Sequence, residues 1–331
     1  MDSRVAGQEA ITRRVTVIGG GPAGVSTALS LRQLAPEWTI TLAHRSMTTP
    51  WRPGESLAPG CGPLLENLGV WEAFLADKHP EALGTRAAWG SDTPYENEFL
   101  FSVRGPGWHL DRPRFDAMLL EAVRRAGIEI RDKPPEDADF TVDATGRAAT
   151  YAVSRGARRI AADNLIGIGR VVDGAPEVPY TLIEAHETGW QYTAPLSGNR
   201  AVVAWMTDPD LTPRIVEGTT VFSARSQHLS PCAGPDWLAV GDAASAFDPL
   251  SSQGILRALR MGKIAAFTIY DTLRDLPAAL GKYRAYVASE YTHYRVAHQE
   301  FYRLETRWPD APFWARRHNQ NGTQRHVKTH V

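Results

Sequence analysis

The chain has 331 residues, 43% of them apolar, with 36 Lys and Arg against 37 Asp and Glu for a formal charge of −1. That length and apolar share allow a sizeable core arranged in two lobes, and the balanced charge provides no field for nucleic acid or an anionic membrane. No apolar run nears the roughly 20 residues a membrane helix needs, residues 1–12 lack a signal peptide's apolar centre, and Cys61 and Cys232 have neither CxxC spacing nor histidine partners, so the expectation is a cytoplasmic protein with no metal site and no disulfide framework.

In chain order, Val15-Thr-Val-Ile18 reads as a strand that breaks into Gly19-Gly-Gly21-Pro22-Ala23-Gly24 and a helix expected over 22–34. Gly19 permits the tight turn, Gly21 lets the backbone approach a pyrophosphate, and Gly24 lets the helix pack close to the sheet. Pro22 suits a first helical position, and the helix start aims its amides and positive dipole end at phosphate. A second parallel strand is expected over 38–43. Where a ribose-binding acid usually follows, the chain has His44 and Arg45. His44 hydrogen-bonding a ribose hydroxyl, Arg45 meeting an NADP 2′-phosphate, and a less tightly held adenosine all remain open. The turn-rich run 51–60 carries Arg52 and Glu55 ahead of a helix at 63–69, and reads either as a ligand loop at the sheet's carboxyl edge or as a solvated ion-paired turn.

Short aromatic β pieces follow at 87–89 and 98–103, and His109 opens the approach to an amphipathic helix over 115–126, with Pro113 in its first turn. His109 is either a polar group beside substrate or flavin, or a structural histidine. Strands are expected at 128–130 and 140–143, antiparallel strands from 163 to 208, and a last nucleotide strand at 237–240. That strand ends in Gly241-Asp242, where a carboxylate beside a helix start can accept sugar or ribityl hydroxyls while free amides face a flavin carbonyl. A polar loop at 247–254 leads into a helix to about 273; helices at 280–306 and 311–317 close the ordered chain. Trp89, Trp108, Trp190 and Trp205 read as a substrate lining or as ordinary core.

The resulting fold class is α/β: a Rossmann-like lobe with a parallel sheet (12–84, 108–155 and 229–275), an antiparallel β lobe for substrate (85–107 and 156–228), a C-terminal helical segment (276–318) and a flexible tail (319–331).

In order and spacing, Gly19 to Gly24, Arg52-Pro-Gly-Glu55-Ser-Leu, Arg112-Pro-Arg-Phe-Asp116, Asp143-Ala-Thr-Gly146 and Gly241-Asp242 through Gly254 resemble FAD-dependent monooxygenases of the hydroxylase and tryptophan-halogenase-like superfamily. Gly107-Trp-His-Leu-Asp-Arg-Pro-Arg-Phe-Asp116 and Asp248-Pro-Leu-Ser-Ser-Gln-Gly254 resemble, more narrowly, the flavoprotein maturases of quinone-cofactor oxidases of the lysine- and glycine-oxidase type. The resemblance implies FAD, reduced by NADH, NADPH or a separate flavin reductase. It puts Gly19, Gly21, Pro22, Ala23 and Gly24 at the pyrophosphate, His44 and Arg45 by the adenosine, Arg52, Glu55 and Arg112 near flavin or pyrophosphate, Gly241 and Asp242 at the ribityl and phosphate region, and Pro249, Gln253 and Gly254 against the isoalloxazine. His109, Glu55, Ser251 and Ser252 become the catalytic candidates.

The implied reaction is hydroxylation of an electron-rich aromatic, an indole or phenol, free or as a tryptophan on a peptide or carrier, through a flavin C4a-hydroperoxide. Against halogenation, the lysine that halogenases of this superfamily carry after the Gly-Glu turn is replaced by Thr85-Arg86-Ala87, their loop glutamate by Ser251, and their Trp-x-Trp-x-Ile-Pro signature is only partly echoed by Trp190-Gln-Tyr192-Thr-Ala-Pro195. A flavin-dependent halogenase, a non-catalytic FAD-binding maturation factor for a partner protein, and an NADP oxidoreductase remain the alternatives. A short link at 131–139, with His44 in place of an acid, implies loosely held FAD.

Overall fold

The computed structural model describes residues 12–45, 54–99 and 103–319. Arg52 and residues 320–331 lie outside them.

One sheet is wholly parallel, ordered Trp237–Ala239, Phe140–Asp143, Arg14–Ile18, Thr39–Ala43, Glu129–Arg131. Its inner strands are apolar because both faces are covered: Val15, Val17, Ile40, Leu42 and Val142 are all buried. Val15 stands between Ile40 and Phe140, and the shared direction brings the carboxyl ends of five strands to one edge. The helices Pro22–Leu34 and Gly254–Thr272 lie against each other, Ser26 Oγ donating to the Leu259 carbonyl at 2.7 Å. Their approach is close enough that a Cβ on Gly262 would sit 2.6 Å from that of Ser26.

The helix after His109 runs Arg112–Arg125, its start fixed by Asp111, whose carboxylate accepts from the Arg114 amide at 3.2 Å. His109 therefore does not open the helix. It ends the strand Gly107–His109, which pairs with Ser56–Leu57 and Glu81–Ala82.

The second large sheet has seven strands, ordered Thr220–Ser223, Ile166–Asp173, Arg200–Thr207, Gly189–Leu196, Tyr180–His186, Gly84–Ala88, Tyr95–Glu98. All its pairings are antiparallel except that of Tyr180–His186 with Gly84–Ala88. A strand runs Tyr95–Glu98, and residues 100–102 of the strand expected at 98–103 lie outside the described residues. A separate three-stranded sheet, ordered Arg158–Ala161, Gln227–Ser230, Ser245–Ala246, was not expected.

The C-terminal helices Ala279–Arg303 and Pro312–His318 help close a second core, in which Trp89, Trp190, Tyr302, Phe313 and Trp314 are buried together. Trp314 is anchored by its indole N–H donating to the His186 carbonyl at 2.8 Å. The four tryptophans do not share one lining. Trp108 packs edge-on against Trp71 and Phe74 in the core of the parallel sheet, and Trp205 lies on His186. Cys61 and Cys232 are buried and free, and burial pushes their thiols up to about 12 and about 11, so neither is poised as a nucleophile. Among the described residues no helix is long and apolar enough to cross a membrane, and no His, Cys, Asp and Glu cluster could hold a metal.

Candidate functional site

At the carboxyl edge of the parallel sheet, three turns are interlocked by backbone. Gly19 takes φ +119°, and a Cβ there would fall 2.1 Å from the Ala144 carbonyl oxygen; one on Gly24 would fall 1.9 Å from that of Gly19. Gly20 is backed by the His44 imidazole, 2.6 Å from where its Cβ would stand. Gly21 differs from all of these. Nothing lies within 4 Å of its Cβ position, and it opens a helix with no side-chain cap and no acidic residue in its first turn. The amide-rich helix start thus faces open space bordered by a residue that adds no bulk, a cradle that fits the pyrophosphate of a dinucleotide. The Gly241 turn belongs to the same place: at φ +62°, its Cβ position is 2.7 Å from that of Ala23.

Asp242, about one-third exposed, is flanked by the guanidinium of Arg257 at 3.4 Å and that of Arg147 at 3.5 Å. Arg257 is itself buried, stacked 3.8 Å over the Phe247 ring and donating to Ser245 Oγ at 3.0 Å. Asp143, also at this edge, spends its carboxylate on the Thr145 amide and hydroxyl and the Ala152 amide at 2.6–2.9 Å, which fixes the turn. Arg45 is exposed after the second strand.

The loop after the Gly241 turn is built around Asp248, which stood in a motif above without a role of its own. Its side chain is 1% exposed. Oδ1 accepts from the Leu250 amide at 2.9 Å; Oδ2 accepts from His298 Nε2 at 2.9 Å and the Tyr302 hydroxyl at 2.8 Å. Its amide donates to the Tyr294 hydroxyl at 2.8 Å, and its carbonyl accepts from the Ser251 hydroxyl at 3.0 Å. Burial opposes charge here, yet these donors, led by His298, hold the carboxyl below its usual range. Three residues of the long helix Ala279–Arg303 therefore clamp the base of the segment holding Pro249, Ser251, Ser252, Gln253 and Gly254, while Gln253 and Gly254 themselves are exposed.

Glu55 is another buried carboxylate, 2% exposed, accepting from the Tyr192 hydroxyl at 2.8 Å and the Gly54 amide at 3.1 Å. Burial and the neighbouring Glu55 hold the Tyr192 phenol well above its usual range, so it stays a donor. Arg112 reaches the Gly54 carbonyl at 3.2 Å and pairs with Asp116. His109, fully buried, is pushed by desolvation below the ordinary histidine value and is neutral. Its Nε2 lies 3.2 Å from the Pro179 carbonyl, which assigns the proton to Nε2 and leaves the lone pair on Nδ1, an atom buried without a partner.

One strand joins the two carboxylates. On Gly189–Leu196, Trp190 and Tyr192 share a face: Trp190 Nε1 donates to the Tyr302 hydroxyl that holds Asp248, and Tyr192 holds Glu55. Trp190 and Tyr192, about 7 Å apart along the strand, thus bear on Asp248 through Tyr302 and on Glu55 directly.

The family model for an FAD binding domain matches residues 12–175. LodB of Marinomonas mediterranea, named as an FAD-dependent oxidoreductase, is 30% identical over 91% of this chain and 96% of its own. Among solved structures, the flavin-dependent halogenase CmlS superposes with a TM-score of 0.82 at 22% identity, over 93% of this chain and 68% of its own. The peptidyl tryptophan dihydroxylase QhpG, essential for tryptophylquinone cofactor biogenesis, superposes with a TM-score of 0.76 at 24% identity, over 96% of this chain and 81% of its own.

Proposed function

Since the chain belongs to the family of FAD-dependent oxidoreductases that includes LodB, we propose that it is a monooxygenase that hydroxylates an electron-rich aromatic, and that its substrate is a tryptophan side chain carried on a peptide or carrier. The observation that carries this reading over halogenation is the lack of a buried ammonium. Among the described residues the lysines are Lys78, Lys133, Lys263 and Lys282, and none is buried. In Thr85-Arg86-Ala87, the stretch that stands where the superfamily's halogenases have theirs, the cation is Arg86, and it pairs with Glu96 at the sheet margin. QhpG, whose name states peptidyl tryptophan dihydroxylation, supports the substrate class.

When bound and reduced, FAD supplies two electrons to dioxygen, one oxygen atom entering the ring and the other leaving as water. The chain's residues do the rest. Gly19, Gly21 and Gly24, with Pro22 and Ala23, would receive the pyrophosphate, and Gly241 and Asp242 the ribityl region, with His44 and Arg45 at the adenosine side. Arg112 would sit near the flavin end. The loop Pro249–Gly254 would present its amides, with the Ser251 and Ser252 hydroxyls, to charge on the flavin, held still by the clamp on Asp248. Glu55, or the Nδ1 lone pair of His109, would take the proton that leaves the aromatic nitrogen, hydroxyl or ring carbon as the oxygen arrives.

The test is turnover of a tryptophan-containing peptide with FAD, NADH, a flavin reductase and isotope-labelled dioxygen, with and without bromide. Product carrying one labelled oxygen, unchanged by bromide, is expected. A brominated product would assign halogenation instead, and FAD-dependent capture of a partner protein with no oxidised product would assign the maturation-factor role.

A further inference from the structure

A cavity of about 630 Å³ is lined by three arginines, Arg147, Arg159 and Arg225, and by Ile166, Val221 and Phe222. No acidic side chain lines it among the described residues. Arg147 forms its inner wall and is already fixed, donating to the Arg225 carbonyl and the Phe247 carbonyl at 2.6 Å each, with Nε 3.5 Å from Asp242. Arg159 and Arg225 have no carboxylate within ion-pair reach among the described residues, and the Nε of Arg225 is buried without a hydrogen-bond acceptor. Like charges converging on one concave surface repel, and desolvating an unmatched guanidinium costs free energy, so the cavity is complementary to an anion.

The walls narrow the choice of anion. Arg159 and Ala161 come from Arg158–Ala161, the outer strand of the three-stranded sheet, paired only with Gln227–Ser230. Val221, Phe222 and Ser223 come from Thr220–Ser223, the outer strand of the seven-stranded sheet, paired only with Ile166–Asp173. Two sheet edges whose outer backbone groups have no ladder partner among the described residues therefore border one arginine-lined cavity. Val221 is 47% exposed, and the Phe222 ring covers Gly167, whose Cβ position is 2.2 Å from it. Free edges offer alternating amide and carbonyl groups to an extended chain, and apolar side chains between guanidiniums suit alternating acidic and apolar residues. A bare phosphate would use only the charges.

We infer that the cavity between the edge strands Arg158–Ala161 and Thr220–Ser223 docks an extended acidic peptide segment, its carboxylates on Arg159 and Arg225 and its backbone laddered to an edge strand. This deepens the proposed function and rests on its peptide-borne substrate: Arg147 lines the cavity and its Nε stands 3.5 Å from Asp242, so a segment seated there lies near the proposed cofactor edge. It names acidic residues in extended conformation as the recognition element.

Fluorescence anisotropy of the FAD-loaded protein with a labelled decapeptide alternating Glu and Val tests it, beside a matched Gln and Val peptide and a Glu and Val peptide N-methylated at alternate residues. Saturable binding of the Glu peptide is expected, at least about tenfold weaker for both control peptides. Arg159→Gln, an exposed substitution, and Arg225→Gln should each weaken it by about fivefold or more while flavin absorbance is retained. Equal binding of the Gln peptide, or no effect of Arg159→Gln and Arg225→Gln in folded protein, would overturn the acidic recognition. Equal binding of the N-methylated peptide would overturn the edge-strand ladder. Displacement of the Glu peptide by equimolar inorganic phosphate or NADPH would overturn it in favour of a phosphate ligand. Peptide binding is read without turnover, so a peptide that docks as expected but is never hydroxylated counts against the proposed reaction and not against the docking site.

Discussion

Tyr302→Phe isolates the clamp on Asp248. The substitution keeps the ring and opens no cavity, but removes a hydroxyl that accepts from Trp190 Nε1 at 2.9 Å and donates to Asp248 Oδ2 at 2.8 Å. Burial holds that phenol well above its usual range, so the donor is present at every working pH. The variant leaves an indole N–H orphaned in a site 1% exposed, costing about 1–3 kcal/mol, and takes one charge-assisted bond from a buried carboxylate, worth about 1.5–3 kcal/mol. Since the two bonds share one hydroxyl they are not additive, and the expected loss is about 2–5 kcal/mol in urea-induced unfolding. FAD affinity should fall with it as the Pro249–Gly254 loop loosens. Tyr151→Phe is the control: its hydroxyl accepts only from the exposed Arg155, and the change should stay within about 0.5 kcal/mol. A folded Tyr302→Phe within about 0.5 kcal/mol of the parent, with unchanged FAD affinity, would refute the clamp.

Further outcomes follow from buried charge. Arg317→Ala removes the 2.8 Å partner of Asp208, whose side chain is 5% exposed, and with Arg316 still at 2.9 Å the expected loss is about 3 kcal/mol in the same assay; less than about 1 kcal/mol would contradict the pairing. His109 is lowered from 6.5 by burial, so its neutral form contributes stability that is fully present above pH 6.5 and lost as pH falls through its folded value. His109→Gln should flatten the fall in Tm below pH 6.5, and an unchanged slope would show that the proton enters elsewhere. Asp248, lowered from 3.8, adds a second loss further into acid, which Asp248→Asn should remove.

What could be read in the sequence was local or tied to the nucleotide turns. The strand, glycine cluster and helix at 14–34 are contiguous, and Gly241-Asp242 ends a strand of the same sheet, so short-range rules placed both. His109 ends a strand instead of opening a helix, and Asp111 followed by Arg112-Pro113 carried the capping signal that stops the helix short of it. The three-stranded sheet was missed because its strands have four, four and two residues, and Arg158–Ala161 is exposed throughout, so no alternation marks it. Asp248 meets His298 and Tyr302 across 50 and 54 residues, a pairing that no local pattern encodes. Buried Arg257 looked like any helical arginine until Phe247 and Ser245 were brought beneath it.

The most direct measurement is FAD titration of Gly21→Val, followed by flavin absorbance and Tm. At φ −78° and ψ 177° this position accepts a side chain, and its Cβ direction is open, so the apoprotein should fold with a Tm close to the parent's. If the pyrophosphate approaches there, the added side chain occupies its space and FAD affinity falls by about 100-fold or more, on the order of 3 kcal/mol. A stable Gly21→Val that takes up FAD as the parent does would contradict the cofactor site.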